Sequence, residues 1–351
     1  MADLRDFTNL ATCVDTELVR GAVPAAALGS GTPVSTSSAQ GTFDAAHAAD
    51  CSTPPRPAGT WNGTALHDDE VCLAGGSFVM GSRDTAIGDP RDALPERASI
   101  VSSFLIDRYE VTVARFRKAL AEGFPDGVPA ANDGPIGDRS VPPNSPTLCT
   151  WSQAPVGRED YPVNCLTRLT AAAFCRSAGG DLPTEAQWEY AAGAAGRAAK
   201  TRYPWGPGGA LAPSCTDVVY GRIAGIVPAG VTGCTGWGPS PVTTAEHAGG
   251  DVTPGPGAGV VDLGGNVAEW TIDTFAAFDS NCWLAAPLLD PSCTAAASTT
   301  AVGDVPAAAH TTRGAYWGSL PKALFVADRD AAAQTDRDTG VGFRCVRPGG
   351  G

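Results

Sequence analysis

The chain has 351 residues, 43% of them hydrophobic, enough for one large domain or two ordinary ones with a buried core. A formal charge of −13 argues against nucleic acid or an anionic membrane as a partner, because both select a basic surface. No apolar run reaches the length of a membrane span, and 43 glycines with 29 prolines point to many turns and few long helices.

Residues 1–70 lack sustained periodicity. Gly21 to Thr60 is rich in Ala, Gly, Ser, Thr and Pro, the composition of a linker or weakly ordered extension. An ordered domain is expected over 71–348. Its first strand spans Gly75-Gly76-Ser77-Phe78-Val79-Met80-Gly81-Ser82, between glycine turns, and its second spans Ser103 to Val111. Thr112 caps a helix running through Phe116, Leu120 and Ala121 to Gly123. A second helix fits Leu169 to Ser177, ended by Gly179-Gly180. A third begins at Thr184, where the hydroxyl of Thr184 and the amide of Gln187 make a capping box, and carries Trp188 and Tyr190 toward Ala192. Short strands and turns follow, without an internal repeat. The pattern is one α+β domain with three modest helices and much irregular chain.

None of the eleven cysteines is spaced C-x-x-C, which argues against zinc ribbons and thioredoxin-like motifs. Three pairs instead bracket loop-like stretches: Cys149 with Cys165, Cys215 with Cys234, and Cys282 with Cys293. Each bridge would restrict the unfolded chain by about 3 kcal/mol. Such bridges persist outside the reducing cytosol, so a periplasmic, cell-surface or extracellular location is expected. The opening Met1-Ala2-Asp3-Leu4-Arg5 has no basic start and no apolar run, so this reading expects a native export signal to have been removed. The pairing of Cys13, Cys51 and Cys72 stays open, and an odd total leaves one thiol over.

From Gly75 onward, blocks follow in an order that resembles the formylglycine-generating-enzyme (sulfatase-modifying factor) family. After Gly75–Ser82 come Ile106-Asp107-Arg108-Tyr109-Glu110-Val111-Thr112 with Phe116, then Pro162-Val163-Asn164-Cys165 with Ala173-Phe174-Cys175. Leu182-Pro183-Thr184-Glu185-Ala186-Gln187-Trp188-Glu189-Tyr190-Ala191-Ala192 is close to the family's signature. Tyr203-Pro204-Trp205-Gly206, Gly265-Asn266-Val267-Ala268-Glu269-Trp270, Arg313-Gly314-Ala315-Tyr316-Trp317 and Gly342-Phe343-Arg344-Cys345 complete the series. The resemblance covers roughly residues 72–347 and implies a C-type-lectin-like fold with little regular secondary structure. It also implies a long-range bridge between Cys175 and Cys345. In texture the chain is similar to a non-catalytic branch of exported, myxobacterial-type proteins.

The resemblance carries a calcium site onto this chain, with Asp262 through its side chain, Gly265 and Val267 through their carbonyls, and Glu269 as ligands. The chemistry is consistent, since Ca²⁺ takes six to eight hard oxygens and a glycine-rich turn lets carbonyls converge. A competing role for Asp262 and Glu269 is to satisfy turn amides and a buried arginine. Thr216-Asp217-Val218 is a faint remnant of the family's other calcium site.

Catalysis fares differently. Enzymes of this family oxidise a substrate cysteine with oxygen, using copper(I) held by two thiolates that lie just after the block matching Arg313–Trp317, and soft sulfur is what selects Cu(I). Here Arg313 to Arg329 contains no cysteine, and Tyr316 stands where the enzymes carry a serine. No copper and no catalytic residue are expected. The histidines His47, His67, His247 and His310 are scattered, without an H-x-x-x-H pattern, and neither a G-x-S-x-G elbow nor a P-loop is present. Glu185 and Glu189 lie one helical turn apart, which a structural role explains better than a carboxylate dyad. Tyr316, Trp317 and Trp270 are expected to line the groove in which the enzymes hold substrate. The expected function is an exported pseudoenzyme, a secreted binding or surface module stabilised by calcium and disulfides, whose partner is a protein, peptide or glycan. The alternatives are a formylglycine-generating oxidase and a structural subunit that self-associates through residues 1–70.

Overall fold

A computed structural model describes residues 51–350, apart from 84–92, 139, 198–199, 206–212, 224–232, 244–258 and 296–304. Cys13, His47 and His247, and all of the extension before residue 51, lie outside the described residues.

The described chain opens with a hairpin of β1 (Thr60–Trp61) and β2 (Thr64–Ala65). Its turn residues Asn62 and Gly63 have φ of 49° and 80°, the left-handed pair that matches strand twist in a two-residue hairpin. Next come β3 (Glu70–Leu73), β4 (Gly76–Met80), β5 (Arg97–Val101) and β6 (Phe104–Asp107). β4 pairs antiparallel with β5, and β6 takes β3 on one edge and the C-terminal β11 (Val346–Pro348) on the other. A second sheet has the order β10-β7-β8-β9, built from β7 (Ala268–Thr274), β8 (Ala309–Arg313), β9 (Asp330–Ala333) and β10 (Val341–Gly342). Only the β10–β7 pair in it is parallel.

The three expected helices form. Thr112 accepts a bond from the Arg115 amide and starts α1 (Val113–Ala121). Thr167 caps α2 (Arg168–Ser177), which ends at Gly179 with φ of 83°. Gly180 must lack a side chain, because a Cβ there would come within 2.1 Å of the Val346 carbonyl, where the chain bridges to β11. The box at Thr184 and Gln187 closes with two 3.0 Å bonds and starts α3 (Glu185–Gly193). A fourth helix, α4 (Asn281–Ala285), was not expected. Five residues are too few to show a helical period, and α4 is held by buried Trp283 and by the bridge at Cys282.

Two aromatic-rich cores flank the sheets. One packs Phe78, Phe104, Trp188 and Trp283, and the other packs Phe116, Trp151, Phe174 and Phe343 with Trp270. Phe174 stacks on Phe116 at 5.3 Å and meets Phe343 edge-on at 5.4 Å.

All four expected bridges are present: Cys149–Cys165, Cys175–Cys345, Cys215–Cys234 and Cys282–Cys293. A fifth joins Cys51 to Cys72. It shows why a boundary at residue 70 falls too late. Thr53 donates to the Gly349 carbonyl, the Thr112 hydroxyl donates to the Leu66 carbonyl, and Glu70 takes Arg347, so residues 51–70 are bonded into the domain. Their composition of Pro, Gly and Thr hid this, since long-range bonds leave no local period. Among the described residues, no helix is long and apolar enough to cross a membrane.

Candidate functional site

The segment Arg313–Arg329 leaves β8 and is tied down along its length. The Trp317 amide donates to the Asn266 carbonyl at 2.8 Å, and its indole donates to the Thr339 carbonyl at 3.3 Å. The Ser319 hydroxyl accepts from the Tyr316 amide at 3.0 Å. A 3-10 turn, Pro321–Leu324, then delivers Leu324 and Phe325 into an apolar cluster with Tyr203, Val218 and Tyr220. Phe325 meets Tyr203 edge-on at 4.9 Å. Arg313 donates to the Val326 carbonyl at 2.8 Å, and Arg329 ends the segment on Glu185 at 2.6 Å. The segment after Trp317 is thus a packed turn, apolar at Leu324 and Phe325.

Glu185 and Glu189, both fully buried on α3, anchor this segment. Glu185 also accepts from the Thr311 hydroxyl at 2.7 Å, while Glu189 accepts from Arg313 and Lys200, each at 2.6 Å, and from the Gly81 amide at 2.8 Å. Their oxygens serve as structural acceptors.

The three residues expected to line one groove do not do so. Trp270 and Trp317 are wholly buried in different clusters, and only Tyr316 is partly exposed. The Tyr316 ring itself fills space: a Cβ on Gly318 or Gly340 would come within 2.7 or 2.6 Å of it. Aromatic residues inside family blocks read the same whether they face a groove or a core, so the sequence could not separate the two.

The cation turn is reached through Gly265, whose φ of 87° and whose contact with the Val219 carbonyl, 2.3 Å from a hypothetical Cβ, exclude any other residue. Glu110 fastens the turn by accepting from the Asn266 side chain at 2.7 Å and the Val267 amide at 3.0 Å. Burial pushes the Glu110 carboxyl well above the usual range, and the neighbouring charges of Asp262 and Glu269 add to that.

Glu269 is taken up by other groups. Arg344 donates through Nε at 2.8 Å to both of its oxygens and through Nη2 at 2.6 Å, and the Trp188 indole donates at 2.9 Å. Arg344 also donates to the carbonyls of Asp107, Arg108, Val261 and Asp262. A calcium ion on Asp262, Gly265, Val267 and Glu269 would have to share Glu269 with these donors. Both Glu269 oxygens are shared among four donor contacts, and a guanidinium stands beside them. Arg344 lies in the last of the sequence blocks, and a buried arginine is the competing role given for Glu269; that these two pair, 75 residues apart, follows from the fold.

An open groove of about 830 Å³ lies between the β1–β2 hairpin, the start of α1 and the loop at 153–160. Trp61, His67, Arg117, Gln153, Glu159 and Asp160 line it, and no lining residue comes from 313–329. The histidines lie apart, His67 in this groove and His310 on β8.

The arrangement can be set beside known proteins. The formylglycine-generating enzyme of Mycobacterium tuberculosis is 30% identical over 318 residues, covering 79% of this chain and 96% of that protein. A Mus musculus protein named inactive C-alpha-formylglycine-generating enzyme 2 is 31% identical over 231 residues, 58% of this chain and 68% of that protein. The structure of PvdO from Pseudomonas aeruginosa is similar in fold, with a TM-score of 0.54 at 22% identity over 85% of this chain and 100% of that one. The sulfatase-modifying factor enzyme 1-like domain matches residues 60–348, and with its order of blocks and its five bridges the chain belongs to the FGE-sulfatase family.

Proposed function

We propose that this protein is a non-catalytic, exported member of the family that acts as a binding module. The observation that carries the reading is the segment Arg313–Arg329, within which the resemblance places the copper ligands: it holds no thiol, and its residues Leu324 and Phe325 are buried in an apolar cluster. Hydrocarbon side chains offer nothing to Cu(I), and the surrounding bonds leave the turn little freedom to rearrange. Export is supported by the five bridges, which a reducing cytosol would open. The test supplies Cu(I), oxygen and a peptide containing C-x-P-x-R to the purified chain and follows the peptide by mass spectrometry. No formylglycine should form, and turnover would overturn the reading.

The proposal extends to the cation turn. Arg344, bonded to Glu269 and to four carbonyls, supplies the positive charge that a calcium ion would bring. Stability should therefore not depend on calcium. EGTA is expected to leave the melting temperature within about 1 °C, whereas loss of a tightly held ion would lower it by several degrees. A large drop would restore the calcium ligands Asp262, Gly265, Val267 and Glu269. Arg344→Met, which strands buried acids without their partner, should cost about 3–5 kcal/mol in urea unfolding.

A further inference from the structure

We propose that the open groove beside the β1–β2 hairpin binds a neutral saccharide, stacked on Trp61 and held by hydrogen bonds to Asp160 and Gln153. This deepens the binding-module reading and rests on it.

The groove's size, about 830 Å³, suits a small ligand. Its charges are mostly spent. Arg117 lies 4.4 Å over the Trp151 ring, donates to the Gln153 carbonyl at 3.2 Å, and reaches Glu159 at 3.5 Å. Glu159 accepts further from the Gly157 amide at 3.1 Å. Burial holds His67 below its ordinary pKa, outweighing the nearby Asp160, Asp69 and Asp68, so its ring is neutral at pH 7. One carboxylate remains, on Asp160. A strongly cationic ligand would find a single partner there and an arginine nearby.

The polar groups around that carboxylate are unspent. The side chains of Asp160 and Gln153 make no hydrogen bond to the described residues, nor do those of Asn62 and Thr64 on the hairpin. They present a carboxylate, two amides and a hydroxyl, which together accept from and donate to hydroxyl groups. Trp61 is half-buried at the base of a turn fixed by Asn62 and Gly63, so its indole is presented at low entropic cost. A pyranose ring has an apolar C–H face that covers an indole and a hydroxyl edge that suits such a rim. An aromatic platform with a rim of amides, a hydroxyl and one carboxylate matches both of these faces.

The experiment titrates the full chain with N-acetylchitotriose, maltotriose, cellotriose and mannotriose, reading tryptophan fluorescence and heat up to about 10 mM ligand. At least one trisaccharide should bind, with an affinity insensitive to salt between about 0.05 and 0.5 M because the ligand carries no charge. Trp61→Ala and Asp160→Asn should each weaken it by about tenfold or more. Gln153→Ala, at an exposed position, should weaken it less and keeps the test open if Trp61→Ala fails to fold. Binding by none of the four sugars, binding unchanged in all three variants, or preference for a trilysine peptide overturns the proposal. Such a failure is separate from the copper assay. A chain that makes no formylglycine and binds no sugar refutes the saccharide while leaving the non-catalytic reading intact.

Discussion

Asp273 and His310 sit against each other across β7 and β8, and their protons pull stability in opposite directions. Burial, reinforced by the charge of Glu185, pushes the Asp273 carboxyl up to about 7, from 3.8. Burial and then Arg168 lower His310 to about 4, from 6.5. Between pH 4 and 7 the folded chain therefore holds a proton on Asp273 that the unfolded chain has lost, so this group's contribution falls as pH rises. Between pH 4 and 6.5 the unfolded chain holds a proton on His310 that the folded chain lacks, so this contribution falls as pH drops. The two oppose each other over most of that window. Asp273→Asn should cost most near pH 4 and progressively less as pH rises to about 7, beyond which its cost is constant. His310→Gln should gain on the wild type as pH falls from 6.5 to 4. Urea titrations of each variant across that range check both signs, and a pH-independent difference for either one would contradict the assignment. The same scale shows what a motif can hide. Asp262 and Glu269 stand in the order that suggests a cation site, but the charge that satisfies Glu269 comes from Arg344, which is fixed by tertiary folding alone.

Among the elements, those with local chemistry were legible. Thr112 and the Thr184–Gln187 box start α1 and α3 because a cap is a bond between near neighbours. α4 and the packing of 313–329 were not, because neither has a period or a cap that a short window can register. The absence of cysteine from that segment was visible in the sequence, while its burial was not. That burial makes a prediction of its own. Phe325 is 5% exposed and edged by Tyr203, so Phe325→Ala should cost about 3–4 kcal/mol in urea unfolding. A loop kept mobile for catalysis would lose far less, on the order of 1 kcal/mol or below. The measurement thus bears on function: a large loss marks a segment built as core, and a small one would reopen the question of a working loop.

For the whole molecule, the bridges take over work that regular structure does elsewhere. Three helices of nine or ten residues and strands of at most seven cannot by themselves hold so much irregular chain. The bridges differ in what they constrain. Cys175–Cys345 spans 170 residues and ties α2 to the start of β11, where Asp181 and Val346 also bridge, so it closes the domain on itself. Cys282–Cys293 spans 11 and fastens one local loop. In the loop-entropy account the long bridge restricts the unfolded chain by about 5 kcal/mol and the short one by about 3 kcal/mol. Replacing both members of each pair with serine should therefore cost more for Cys175 and Cys345 than for Cys282 and Cys293. The long bridge also lies between buried elements, with Cys175 and Cys345 both in the aromatic core, so its loss adds two polar hydroxyls to an apolar interior. Equal midpoints for the two double variants in urea would show that the bridges act on local geometry rather than on chain entropy. A larger loss for the long pair would identify it as the closure on which the arrangement of sheets, cation turn and groove depends.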